Sequence, residues 1–187
     1  MKTIKILAVL FLAGTLSVSA QKSEVNISKS EVEWTGKKIG GSHTGEIKLK
    51  SGNLEFKGDD IVGGTVVMDM NSITNTDLTD EGYNQKLVGH LKSDDFFGVE
   101  KFPTASFEVT KSSKFKDGKA NVSGKLTIKG KTEEITFDVL KEGDKYSTQI
   151  EVDRSKFDVR YGSNSFFDNL GDKAINDVFT LDITLSL

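Results

Sequence analysis

Two histidines, His43 and His90, are the side chains in this sequence best suited to acid–base chemistry near neutral pH. His90 is the better general acid–base candidate, because it lies beside a predicted helix at one end of the domain. A catalytic histidine needs partner groups that orient it, and none accompanies His90 in the sequence. We therefore expect His90 to pack or hydrogen-bond at the helix end, and the sequence assigns no catalytic residue.

Three short motifs begin like known sites, and each lacks an essential part. The run 124–132 suggests a phosphate-binding loop, but the residues after it alternate as a strand rather than forming a helix. Residues 40–44 lack the final glycine of a nucleophile elbow, and Ile73 takes a ligand position of the calcium-loop pattern that Asp69 and Asn71 begin. With two histidines and no cysteine, the sequence predicts neither a metal site nor a cofactor.

The first twenty residues have the pattern of a cleaved secretory signal. Lys2 and Lys5 precede an apolar run over residues 6–16, and Val18, Ser19 and Ala20 form a small-residue exit. The run is shorter than the roughly 20 residues that a membrane-spanning helix needs. We therefore expect cleavage after Ala20, a single mature domain over residues 21–187, and a periplasmic or secreted location. Without cysteine, that domain has neither a lipid-anchoring thiol nor a disulfide.

Composition argues against two classes of partner. The 25 basic and 28 acidic side chains give a net charge of −3, and nucleic-acid binding depends on a basic surface that neutralises phosphates. No second long apolar run follows the leader, so we expect no stable membrane insertion. The sequence leaves a homodimer open.

Alternation of apolar and polar residues dominates the chain after the leader. Val32 and Trp34 alternate with acidic residues, and the same period of two recurs through the last strand, which contains Phe179 and Leu181. Short turns containing Gly, Asn or Asp separate the apolar runs. About eight or nine antiparallel strands in a meander must close or cover their edges, which predicts an all-β barrel.

Two segments depart from this alternation. Residues 81–91 place apolar side chains four positions apart, which predicts one short amphipathic helix with Asp80 or Thr79 as its cap. Residues 157–177 form a long connection before the last strand, and they include Phe166 and Phe167. Loops of that length in a compact domain are usually functional or cover another element, and these two aromatics either cap the barrel end or form a ligand mouth.

Three ordered motifs stand out in the chain: His-Leu-Lys-Ser-Asp-Asp-Phe-Phe at 90–97, Phe-Pro-Thr-Ala-Ser-Phe at 102–107 and Gly-Lys-Leu-Thr-Ile-Lys-Gly-Lys-Thr at 124–132. Together they resemble the YceI-like, polyisoprenoid-binding family, whose fold is a lipocalin-like barrel. Residues 152–159 look like a fourth family segment, with Asp153 and Asp158 in place of Asn and Gly. The resemblance covers nearly the whole mature chain and implies an antiparallel eight-stranded barrel with an apolar lumen for an isoprenoid lipid.

The expected lumen residues share the apolar faces of the strands and of the helix. They are Trp34, Met68, Met70, Leu87, Leu91, Phe107, Leu126, Ile128, Phe137, Phe157, Phe179 and Leu181. His90, Arg154 and Arg160 are candidates for the head-group end or mouth, although Arg154 also fits a salt-bridged residue at a strand end. A barrel of this size is either filled by its own side chains or holds one small ligand. For each single apolar residue the sequence favours plain core over ligand contact, because alternating apolar residues are needed for folding with or without a ligand.

One departure from the family pattern bears on the ligand's head group. Many members carry an Arg-Asp pair just before the His-Leu of the helix, and this chain has Leu87 and Val88 there. Because an unpaired buried charge is costly, the departure favours a neutral-headed isoprenoid such as a quinone over a prenyl diphosphate. The expected function is an exported carrier of a long-chain quinone or prenyl phosphate. The alternative is a periplasmic enzyme or stress-related barrel protein acting on an amphiphilic small molecule.

Overall fold

The computed structural model describes residues 19–187, so all but the last two residues of the expected signal segment 1–20 lie outside the described part of the chain. Ten strands follow one another: β1 Gln21–Glu24, β2 Glu31–Lys38, β3 Gly41–Glu46, β4 Leu49–Lys57, β5 Asp60–Asp69, β6 Thr104–Ser112, β7 Lys119–Ile128, β8 Lys131–Glu142, β9 Lys145–Asp153 and β10 Val178–Ser186. One α-helix, α1 Glu81–Lys92, lies between β5 and β6. Short 3-10 helices occupy Ile27–Lys29, Met70–Ser72, Arg154–Phe157 and Gly171–Lys173.

The strands form one curled antiparallel sheet in the order β1-β4-β5-β6-β7-β8-β9-β10-β2-β3. This ladder has ten strands and two ends, so the expectation of a closed eight-stranded barrel is wrong, whereas the all-β antiparallel class is confirmed. The additional strands β1 and β3 carry no alternating apolar residues, and backbone pairing to β4 and β2 stabilises them instead. Alternation in the sequence reports burial of one face, so it does not detect strands held mainly by their backbones.

The predicted helix is confirmed, and Asp80 is its N-cap. The Asp80 carboxylate accepts a hydrogen bond from the backbone N–H of Tyr83 at 2.9 Å. The side chain of Asn84 ties the helix to the preceding loop by donating to the backbone carbonyls of Asn75 and Leu78. Leu87 and Leu91 face the sheet, so the helix covers one end of the curled sheet.

The interior divides into two apolar clusters that lie along the strands. The larger cluster lies under α1 and includes Trp34, Met68 and Leu126. The second lies at the opposite end, which we call the aromatic end because the rings of Phe56 and Tyr146 pack there among aliphatic side chains, with 5.8 Å between their centroids. The side chains at the far end therefore fill most of the space inside the curled sheet there.

Gly124 on β7 illustrates how closely the filled end is packed. A Cβ atom at this position would collide with the backbone carbonyl oxygen of Glu108 and with the ring of Phe107. Phe107 in turn packs against Phe137, with ring centroids 5.1 Å apart. Because Gly124 has no side chain, the Phe107 ring can pack directly against β7.

We predict that Gly124→Ala lowers the free energy of unfolding by about 1–3 kcal/mol, because the added methyl group overpacks this site. Gly41→Ala on β3 is the matched control, since nothing lies within 4 Å of the position its Cβ would take. Urea unfolding followed by far-UV circular dichroism measures both variants. Equal unfolding midpoints for the two would contradict this account.

Candidate functional site

A cavity of about 550 Å³ lies between the curled sheet and helix α1. We call it the upper chamber. Its walls come from the strand ends nearest the helix, from α1 itself and from the loop before β10. This volume is within the roughly 300–1,000 Å³ typical of small-molecule sites, and most of the wall is apolar.

Nine of the twelve expected lumen residues line the upper chamber: Trp34, Met68, Met70, Leu87, Leu91, Leu126, Ile128, Phe179 and Leu181. Alternation predicted the inward face for seven of them, and the helical spacing of four predicted it for Leu87 and Leu91. Phe96 and Phe97 also line the chamber, because the turn after α1 folds back over the sheet. Whether these side chains contact a ligand stays a prediction.

The other three expected lumen residues lie elsewhere. Phe107 and Phe137 border a second cavity of only about 80 Å³ at the aromatic end, which we call the lower chamber. Met68, Leu126 and Leu181 line both chambers and so mark the boundary between them. Phe157 is 1 % exposed and packs within the larger cluster, and it lines neither chamber.

The mouth of the upper chamber carries basic side chains that the sequence did not assign. Lys37 and Lys38 come from the end of β2, and Lys173 comes from the loop before β10. A bridge between Lys38 and Ile175 brings these two segments together. Asp172 is the acidic residue among the chamber-lining side chains. Leu87 forms part of an apolar wall, as its residue type predicts. These lysines, however, could pair with an anionic head group that this wall of the helix cannot bind.

The two histidines also line the upper chamber, in different settings. The ring of His90 packs edge-on against Tyr161, with centroids 4.3 Å apart, and against Phe96 at 5.6 Å. His43 is held on β3 by Asp77, with 2.8 Å between Nδ1 and Oδ2. His90 therefore packs at the helix end as expected.

Asp77 fixes the loop before α1 to the edge of β3. Burial raises the pKa of Asp77, but the N–H of Thr44 and the side chains of His43 and Asn75 outweigh that effect and lower it to about 2. The carboxylate therefore stays ionised at neutral pH. Its contacts hold His43 and the neighbouring backbone at one side of the mouth.

Arg154 is the most extensively bonded side chain near the chamber. It is 2 % exposed, and its guanidinium donates to the carbonyl oxygens of Val159, Tyr161, Ile175 and Asn176 at 2.9–3.0 Å. Burial lowers the pKa of Arg154, and the nearby Asp177 carboxylate opposes that shift. The donors of the guanidinium thus bond the protein's own backbone, which makes Arg154 a structural residue in the chamber wall.

The partner of Arg154 is Asp177, whose Oδ1 lies 3.4 Å from Nη2. Burial raises the pKa of Asp177, but hydrogen bonds from Ser163 and Ser165 and the charge of Arg154 lower it overall. Arg160, by contrast, is exposed, pairs with Asp158 at 2.6 Å and stacks over Phe166. Arg160 lies outside the upper chamber, beside a neighbouring surface pocket.

We predict that Arg154→Met destabilises the domain by about 3–5 kcal/mol, because it leaves four backbone carbonyls and the Asp177 carboxylate without their partner. Arg154→Lys should recover only part of this loss, since one ammonium cannot reach four separate acceptors. Arg160→Met, at an exposed ion pair, is the matched control and should leave the unfolding midpoint nearly unchanged. Urea unfolding measures the stability of all three variants. A loss of less than about 1 kcal/mol in Arg154→Met would mean that other contacts hold the loop before β10.

The chain matches the model of the YceI-like domain family over residues 20–187. A UPF0312 protein of Staphylococcus aureus is 50% identical over 56 residues, and this match spans 30% of the chain and 30% of that relative's length. No helix among residues 19–187 is both long and apolar enough to cross a membrane.

Solved structures share the fold. BcnA of Burkholderia cenocepacia has a TM-score of 0.69 at 26% identity, covering 87% of this chain and 99% of BcnA. A polyisoprenoid binding domain from Saccharophagus degradans has a TM-score of 0.62 at 16% identity, with 89% and 97% covered. The Campylobacter jejuni YceI protein has a TM-score of 0.50 at 20% identity, with 100% and 99% covered. The match of the family model to residues 20–187, on a ten-stranded curled sheet with one covering helix, shows that this chain belongs to the YceI-like family.

Proposed function

We propose that this protein is an exported lipid carrier that holds the isoprenoid chain of a quinone or prenyl phosphate in the upper chamber. The observation that carries the proposal is the chamber itself, a cavity of about 550 Å³ between the sheet and a covering helix. A hydrocarbon chain is favoured there, because each Å² of apolar surface removed from water lowers the free energy by roughly 25 cal/mol. Two methionines in the wall, Met68 and Met70, suit a flexible apolar ligand because their thioether side chains adapt to its shape.

Membership of the YceI-like family and the polyisoprenoid-binding neighbour support an isoprenoid over other lipids. The basic residues at the mouth support a chain that enters tail first and leaves its polar head beside Lys38 and Lys173. Export is proposed from the leader pattern at residues 1–20, and it would place the carrier in the periplasm or outside the cell.

The first test fills the chamber. Leu126 is 1 % exposed and lies at the boundary of the two chambers, so Leu126→Trp should reduce uptake of a long-chain quinone at least tenfold. Overpacking should cost about 1–3 kcal/mol of stability and leave the fold intact. Leu54→Trp, at the aromatic end, adds the same volume away from the upper chamber and is the matched control. Organic extraction and mass spectrometry quantify the bound quinone.

Trp34 provides a second readout on the unmodified protein. It is the only tryptophan of the chain and it lines the upper chamber, so a bound quinone should quench its fluorescence. Equal uptake by the Leu126 and Leu54 variants, with no quenching of Trp34, would overturn the proposal that the upper chamber binds the chain.

The second test addresses the head group. We predict that Lys38→Gln combined with Lys173→Gln weakens binding of a prenyl phosphate several-fold, because two exposed cations at the mouth are lost. A quinone of equal chain length should bind as before. Lys50→Gln combined with Lys57→Gln, at two exposed lysines on β4 that do not line the chamber, controls for net charge. A competition assay at physiological salt measures the ratio, and an unchanged ratio would place the head group away from these lysines.

A further inference from the structure

Strands β8 and β9 separate along most of their length. They pair only next to their hairpin, through Leu140 with Ser147, Lys141 with Tyr146 and Glu142 with Lys145. On its other side each strand is paired along nearly its whole length, β8 with β7 and β9 with β10. A slit therefore opens in the wall between residues 134–139 and 148–152, and a groove of about 920 Å³ lies over it.

Backbone hydrogen-bonding groups point into this slit. Successive residues of an antiparallel strand bond alternately to its two neighbours. The register of the hairpin therefore directs the N–H and C=O groups of Thr136 and Asp138 towards β9, and those of Gln149 and Glu151 towards β8. One side chain reaches across, since the Thr148 hydroxyl donates to the Asp138 carbonyl at 2.7 Å. Strand edges with free backbone groups are templates for pairing with another strand.

The groove has an apolar floor. Ile135 and Phe137 of β8 and Ile183 of β10 line it, and these inward-facing side chains are only half-buried. Phe137 and Ile150 also line the lower chamber, so the floor of the groove is the wall of the interior.

The rim of the groove is acidic. Its outward-facing side chains include five carboxylates, from Glu31, Glu33, Asp138, Glu151 and Asp182, against one cation, Lys119. Such a surface repels acidic segments and attracts cationic ones.

We propose that this slit binds an extended, cationic peptide segment by strand addition, with basic and apolar residues alternating along the segment. Side chains of a strand point alternately to its two faces. One face of the added strand would pack over Phe137 and Ile150, and the other would meet Asp138 and Glu151. Backbone pairing supplies affinity, and the alternation supplies specificity. This partner site is separate from the proposed lipid function of the upper chamber.

The test uses a short, end-capped peptide of alternating lysine and valine as the probe. Isothermal titration with the mature protein should show saturable binding that weakens as salt is raised. An otherwise identical peptide of alternating glutamate and valine should not bind. N-methylation of alternate backbone nitrogens of the lysine peptide removes the N–H groups that would pair with a strand at the slit, so it should weaken binding at least tenfold. If charge alone attracted the peptide, N-methylation would leave its affinity unchanged.

Charge reversal gives the matched variants. Asp138→Lys combined with Glu151→Lys leaves three carboxylates and three cations on the rim, so it should weaken binding of the lysine peptide at least tenfold and remove the preference for it over the glutamate peptide. Glu108→Lys, at an exposed acidic position where β6 is paired on both sides, should change neither. Unchanged binding in the double variant, or no saturable binding of the lysine peptide to the unmodified protein, would overturn the proposal.

A disulfide staple tests the location independently, because the native chain contains no cysteine. Continuing the hairpin register would place residues 138 and 149 opposite each other, so Asp138→Cys with Gln149→Cys should close the slit on oxidation. Oxidation should abolish peptide binding relative to the reduced form of the same variant. Glu142→Cys with Lys145→Cys joins an already paired position and should bind equally in both redox states. Retained binding by the stapled protein, verified by mass spectrometry, would also overturn the proposal.

Discussion

The buried guanidinium of Arg154 is the interaction on which the chamber end of this domain depends. A cation removed from water is costly unless every donor is satisfied, and here four backbone carbonyls and the Asp177 carboxylate surround it. Those carbonyls belong to two separated parts of the long loop before β10. One side chain at the end of β9 thereby fixes a connection that has little regular structure of its own, and the loop can serve as a wall.

The fixed loop and helix α1 together leave space above the sheet, whereas the aromatic cluster fills the opposite end. At the far end the inward side chains pack against one another, whereas at the chamber end the helix and the loop lie over the sheet and enclose the cavity. Phe56, Phe107 and Tyr146 occupy the far end, and Ala105 with the thioethers of Met68 and Met70 faces the chamber. A hydrocarbon chain is therefore best accommodated between the helix and the Leu126 level of the sheet.

Alternation and helical spacing predicted most of the apolar side chains on the chamber wall, because these patterns record which face of an element is buried. The helix cap was readable from local chemistry as Asp80 or Thr79, and Asp80 is the cap in the structure. The polar strands β1 and β3 could not be predicted in this way, because strands held by backbone pairing show no periodic pattern of apolar side chains. The lysines at the mouth and the slit beside β8 depend on how distant segments meet, as Lys38 meets Ile175, and no local pattern specifies such a meeting.

The division of the interior into a filled half and an open half has an evolutionary consequence. The aromatic end is closely packed, so substitutions there should be constrained by folding. Residues around the open chamber border empty space on one side, so an exchange such as Met70 to another apolar residue alters the shape of the chamber without overpacking it. Lineages descended from such a domain could therefore diverge in ligand preference while drifting little in architecture.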